Sequence, residues 1–313
     1  MNKSAPFTIR EKIAALPNML GRALENPVIL KELRGRMRGR RAYILLTVYL
    51  ILISLLIGVI YSFLAVQSNL LQWNPGFRQI AGKTIFSTVV LFEFLFIGFI
   101  GPALTAGAIT SERERQTFDL LRTTLLSARS LVLGKLGSAC TYLFLLIFTA
   151  LPIQALAFLL GGVGMEELFV SSLMLVVNAI FFCALGLFCS SFTRRTLTAT
   201  VTSYSTILLS ILGLGMASFI ITFSMSSSFS NSTVVTLMAI LLWLMTSTNA
   251  FSAAIVSETF LIQNQSLFLI TIPFPNGGGL SILSPWILHV LLYLALTALM
   301  IFLSIQFVKR PDR

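Results

Sequence analysis

The chain has 313 residues, of which 56% are hydrophobic and 11% charged, with a formal net charge of +11. An ordinary soluble domain carries about 25% charged residues, and mean hydropathy here is +0.92. That balance excludes a soluble globular fold, and in so apolar a chain the cations mark a cytoplasmic membrane face rather than a nucleic-acid surface.

In chain order, the first 41 residues form a basic cytoplasmic segment. They lack the short apolar core and small-residue cleavage site of a secretory signal, so none is expected. Asn26 suits an N-cap and Pro27 the first helical position. Leu30, Leu33 and Met37 then fall on one face, while Lys31, Arg34 and Arg38 fall on another. That spacing predicts an amphipathic helix lying along the inner leaflet, its basic side on anionic headgroups. It is expected to turn sharply into the first span near Arg41. A plain positive flank would account for the charge but not for the cap followed by an apolar stripe.

A crossing needs about 20 apolar residues. Such runs lie near 42–66, 84–110, 137–160, 170–192, 197–223 and 286–308, and no period-2 alternation of a membrane barrel appears. The expected fold class is therefore all-α, a polytopic membrane protein with six transmembrane helices forming one domain over 42–308. Twenty of the 22 Lys and Arg residues lie in 1–41, 111–136, 193–196 and the tail from 309. Six spans put all of these on one side, with both termini in the cytoplasm. Residues 224–285 start and end outside. Their apolar stretch 234–246 is short for a crossing, so a re-entrant or externally packed helical element is expected there, with two additional spans as the competing possibility.

Several polar residues fall inside the spans. A carboxylate at mid-membrane costs about 2.5–3.5 kcal/mol on insertion scales, so Glu93 is expected to face the bundle interior, a path or a partner. Gln154 follows Pro152 in the third span. The fifth span carries Thr202, Ser205, Thr206 and Ser210 among other small residues, a pattern that suits a protomer interface or a pathway wall as well as ordinary packing. His289 near the outer end of the last span is expected to be structural. Cys140, Cys183 and Cys189 lie in apolar runs without metal-ligand spacing, and no metal site is expected.

The cytoplasmic segment 109–136 is longer than a simple turn requires. Ser111 and Glu114 form an S-x-x-E capping box, predicting a helix that begins there. Phe118, Leu121 and Leu125 recur on one face, which predicts a short amphipathic helix over 111–128 with something to touch. An intramembrane enzyme would need paired nucleophile and base or a ligand cluster, which one His and one mid-span Glu do not supply.

The stretches "NPVILKELRGRMRGRRAY", "GPALTAGAITSERERQTFDLLRTT" and the Gly134-Lys135 pair resemble the permease subunits of ABC-2-type ABC transporters. The resemblance implies an elbow-like helix before the first span and a coupling helix after the second. Carried over, Glu112, Glu114, Thr117, Leu120 and Leu121 belong to the ATPase-facing region, beside Phe118 and Leu125 of the apolar face. Relatives often have Gly where Gln116 stands and Pro where Leu125 stands. The resemblance further implies an exporter in a bacterial-type cytoplasmic membrane, a dimer of permease protomers, and a pathway near the second and fifth spans. No G-x-x-x-x-G-K-[ST] occurs, so this chain is expected to bind no cofactor itself. ATP and Mg would be handled by a separate ABC ATPase subunit, with membrane lipid as the other partner and no nucleic acid. A non-transporting anchor or sensor that recruits a cytoplasmic protein is the alternative.

Overall fold

The structure, a computed structural model, describes residues 32–33, 35, 40–68, 77–118, 127–226, 232–262, 267–273 and 279–309. Helices run over Arg40–Ser68 (α1), Phe77–Thr105 (α2), Thr110–Glu114 (α3), Ala128–Leu159 (α4), Met165–Phe192 (α5) and Thr196–Leu208 (α6). A π turn, Leu209–Gly213, joins α6 to α7 (Leu214–Ser226). Two shorter helices follow, α8 (Ser232–Thr248) and α9 (Ala250–Ile262), then strands β1 (Leu269–Pro273) and β2 (Gly279–Leu283), and finally α10 (Pro285–Lys309).

Among the described residues, six helices are long and apolar enough to cross a membrane: Tyr43–Val66, Gln79–Glu114, Ala128–Leu159, Met165–Phe192, Thr196–Phe223 and Pro285–Lys309. The all-α polytopic class read from composition is the fold observed. Several helices outrun the apolar runs that announced them. At 1.5 Å per residue the 32 residues of α4 rise about 48 Å, well past a hydrocarbon core of about 30 Å. Residues 128–136, read from sequence as part of the loop before the third span, are helical and continuous with it.

The core centres on α5, which packs against α2, α4 and α10. Of its most apolar window 61% is buried within the chain, against 6% for the fifth crossing helix, so α5 is the hub and α6–α7 the periphery. Lipid offers no hydrophobic drive between helices, so close approach depends on small residues. Gly186 of α5 illustrates this: a Cβ there would collide with Thr105 Oγ1 and lie 2.9 Å from Pro102 Cα.

Between the fifth and last crossing helices, α8 and α9 meet at Asn249 with a bend of 112°. At 1.5 Å per residue α8 rises about 26 Å and α9 about 20 Å, each short of the ~30 Å core. The bent pair has the form of a re-entrant element or of one broken span, and neither helix alone makes a full crossing. The β-hairpin that follows was not foreseen. β1 and β2 pair antiparallel from Leu269↔Leu283 to Pro273↔Gly279. Trp243 Nε1 donates to the Leu283 carbonyl at 2.7 Å, and Trp286 Nε1 donates to Leu267 at 2.9 Å, tying the hairpin to α8 and α10.

Candidate functional site

The chain leaves α2 through a turn at 106–109 and enters the five-residue α3. The expected capping box does not form. Ile109 is the residue before α3 and makes no side-chain cap, and the Ser111 N–H bonds helically to the Gly107 carbonyl at 3.1 Å. The first N–H groups of a helix still need acceptors. Ser190, at the end of α5, supplies one: its Oγ accepts from Ile109 N at 2.9 Å and Thr110 N at 3.1 Å.

Glu114 turns instead to the neighbouring helix. Its Oε1 accepts from Thr196 N at 2.7 Å and its Oε2 from Thr196 Oγ1 at 2.9 Å. A carboxylate at the positive end of α6 is favoured by the helix dipole as well as by the bonds. Arg113 crosses the same seam, donating from Nη1 to the Thr193 carbonyl at 2.9 Å and placing its guanidinium 5.1 Å from the Phe118 ring centre. Glu112 points the other way, to Lys135 of α4: Nζ lies 2.7 Å from Glu112 Oε1 and 2.9 Å from Glu32 Oε1. Lys135 is only 3% exposed. One segment of seven residues, 112–118, is thus bonded to the third crossing helix and to the turn between the fourth and fifth, and Lys135 links it onward to Glu32 of the N-terminal region.

Nor does a single helix run over 111–128. Gln116 has φ +57°, in the left-handed region that ends a right-handed helix. Gly would adopt that conformation without a Cβ clash, so Gln116 bears a cost there that Gly would not. Of the residues assigned to ATPase docking, Glu112, Glu114 and Phe118 are engaged within the chain, with Phe118 3% exposed. Thr117 is exposed, its hydroxyl 3.3 Å from the Glu112 carbonyl. Leu120, Leu121 and Leu125 lie outside the described residues. So do Leu30, Lys31, Arg34, Met37 and Arg38 of the expected interfacial helix, and the turn into the first span with them. Leu33 is helical and half-buried.

Deeper in the bundle Glu93 is fully buried, and its Oε2 accepts from Gln154 Nε2 at 2.8 Å. Sequence placed both residues in spans and the fold makes them a pair. The carboxylate faces α4. α4 runs on through Pro152.

On α6 the hydroxyls expected to face a path or partner bond back to their own helix. Thr202 donates to Thr198 O at 2.8 Å and Thr206 to Thr202 O at 2.8 Å. Self-satisfied hydroxyls can face lipid, a protomer or a cargo. Ser205 does line an open groove of about 570 Å³ between α2 and α6, together with Leu95, Phe99, Tyr204 and Ile211. Tyr204 closes one side by donating to the Phe99 carbonyl at 2.6 Å. Ser210 lies in the π turn, half-buried. His289 is fully buried, packed 3.9 Å centre to centre on Tyr293.

Ser190 as a cap and Thr196 as an acceptor-seeking helix start were not singled out from sequence, and Lys135 entered only through the Gly134-Lys135 pair, not as a hub. Lys135 carried a faint signal, a lone cation followed by a long apolar run, whereas Ser190 and Thr196 carried none.

No curated protein matches the chain. Residues 27–306, however, match the family described as ABC-2 family transporter protein. With six crossing helices and a match over most of its length, the chain belongs to the ABC-2 transporter family and is a multi-pass membrane transport permease.

Proposed function

We propose that the chain is the membrane subunit of an ATP-driven exporter, working as a dimer with separate ABC ATPase subunits that hydrolyse Mg-bound ATP. Both termini would lie in the cytoplasm of a bacterial-type inner membrane. The observation that carries this reading is the bonding of segment 112–118. A push on the loop after α2 reaches α4 through Lys135 and α6 through Thr196. A loop with no mechanical task would need neither tie. Glu112, Glu114 and Phe118 act here as anchors. The contact itself falls to the exposed Arg115, Gln116 and Thr117 and to Leu120, Leu121 and Leu125 beyond them. The dimer would bring the groove of one protomer toward its partner, with Thr202, Ser205, Thr206 and Ser210 on the approaching face.

Co-expression with an ABC ATPase encoded beside it, followed by affinity purification and an ATPase assay in nanodiscs, tests this. Leu121→Asp is expected to abolish co-purification, whereas Lys135→Met is expected to keep the complex and lose stimulation of hydrolysis. Normal assembly and normal stimulation in both variants would overturn the reading and leave a simple anchor.

A further inference from the structure

The fifth crossing helix is interrupted by the π turn Leu209–Gly213, where the Leu214 N–H reaches both the Ser210 and Ile211 carbonyls. Such a turn widens the helix and disturbs its hydrogen-bond ladder, and π turns cluster where helices do something besides span. A second irregularity, the 112° break between α8 and α9, lies against it. One residue joins the two. Asn249 is 2% exposed. Its Oδ1 accepts from Phe251 N at 3.0 Å and Ser252 N at 3.4 Å, capping α9, while its Nδ2 donates to the Ile211 carbonyl at 3.0 Å.

The other side of the break is clamped by the last crossing helix. His289 Nδ1 lies 2.9 Å from the Ser247 carbonyl, and Tyr293 donates to the Thr248 carbonyl at 3.0 Å, with Ser210 of the π turn beside it. A carbonyl partner requires the proton on Nδ1, so Nε2 is the acceptor for Asn178 Nδ2 at 3.0 Å. Asn178 spends its second N–H on the Met174 carbonyl at 2.8 Å. The end of α8 is therefore fixed to α10 and through it to the α5 hub. The π turn, on the least buried of the six crossing helices, is held by Asn249 and by a hydrogen bond between Ser210 and Tyr293.

We propose that the π turn and the α8–α9 break form one hinge, with the Asn249 side chain as the positioning residue that makes them move together. Ile211, whose carbonyl Asn249 holds, also lines the groove between α2 and α6. The bent pair thereby sets where that wall stands. If the π turn relaxes to regular α geometry, the Ile211 carbonyl, which here takes both the Leu214 N–H and the Asn249 amide, is re-aimed along the helix and the amide is released, so the hinge has two discrete arrangements. The role of the groove as a transport path rests on the permease reading. The hinge does not, and its test needs neither ATPase nor cargo.

Spin labels at Met216 and Ile255, both exposed, report the separation of α7 from α9 by pulsed electron resonance on the full chain in nanodiscs. A second pair at Phe169 and Leu299, on α5 and α10, is the reference. The parent is expected to give one narrow distribution for each pair. Asn249→Ser retains a capping oxygen for α9 but is too short to reach Ile211. Asn249→Asp retains the shape and the cap and removes the donor. Both are expected to split or broaden the 216–255 distribution and leave the 169–299 distribution unchanged. An unaltered 216–255 distribution in both variants, or equal broadening of the reference pair, would overturn the proposal.

Discussion

Glu93 shows what one carboxyl group demands of a membrane fold. Its position in an apolar run was legible as an inward-facing residue, because lipid makes any other placement costly. That its partner is Gln154, 61 residues away, was not, since pairing across helices depends on how α2 and α4 rotate against each other. Glu93→Ala strands the Gln154 amide and should cost about 1–3 kcal/mol, whereas Glu93→Gln keeps a partner for it and should cost less. Thermal unfolding in detergent separates the two. Gln116 makes the opposite case. With φ at +57° the residue occupies a conformation that costs a side chain about 1–2 kcal/mol. Gln116→Gly should leave the unfolding midpoint unchanged or raise it, despite the freedom glycine adds to the unfolded chain.

Elements meet through contacts that local pattern does not reveal. The S-x-x-E stretch at 111–114 reads as a self-capping helix start, yet Ser190 does the capping and Glu114 serves α6. Local rules gave the right residue types, and a neighbour arriving from 80 residues away took one of the jobs. Ser190→Ala removes the acceptor for two N–H groups at once and should lower stability by about 1–3 kcal/mol, read as a shift in unfolding midpoint. The Lys135 pairs belong to the same scale. Removing one partner of a buried ion pair costs about 3–5 kcal/mol, and the lower end applies here because each Glu side chain keeps 23% exposure. At the α2–α5 seam Gly186→Ala forces a methyl into Thr105 and Pro102. Overpacking of that kind costs about 1–3 kcal/mol, and a lowered melting temperature would register it.

At the scale of the whole molecule, cations set orientation and small residues set architecture. The positive-inside rule, applied to the count of Lys and Arg, predicts 111–136 and 193–196 on one side and 224–285 on the other. A cysteine replacing exposed Arg195 should react with a membrane-impermeant thiol reagent only in inside-out vesicles, and one replacing exposed Ser281 only in right-side-out vesicles. Reaction of both from the same side would refute the six-crossing topology. Cys140, Cys183 and Cys189 are buried, so they leave the background of this assay low.

The class of this protein and its apolar crossing helices were determined by the sequence itself, which also predicts the side on which its charges belong. Each follows from the transfer cost of one residue or one segment into lipid, a quantity that sums along the chain without reference to partners. The tertiary structure alone decided that α5 is the hub, that segment 112–118 is an anchor tied to Lys135 and Thr196, and that Asn249 joins a π turn to a broken helix pair. Those outcomes depend on which polar atom finds which partner once helices are rotated and pressed together. In a bundle without a hydrophobic drive, that choice is made by close approach at small residues and by the need of each buried polar group for a bond.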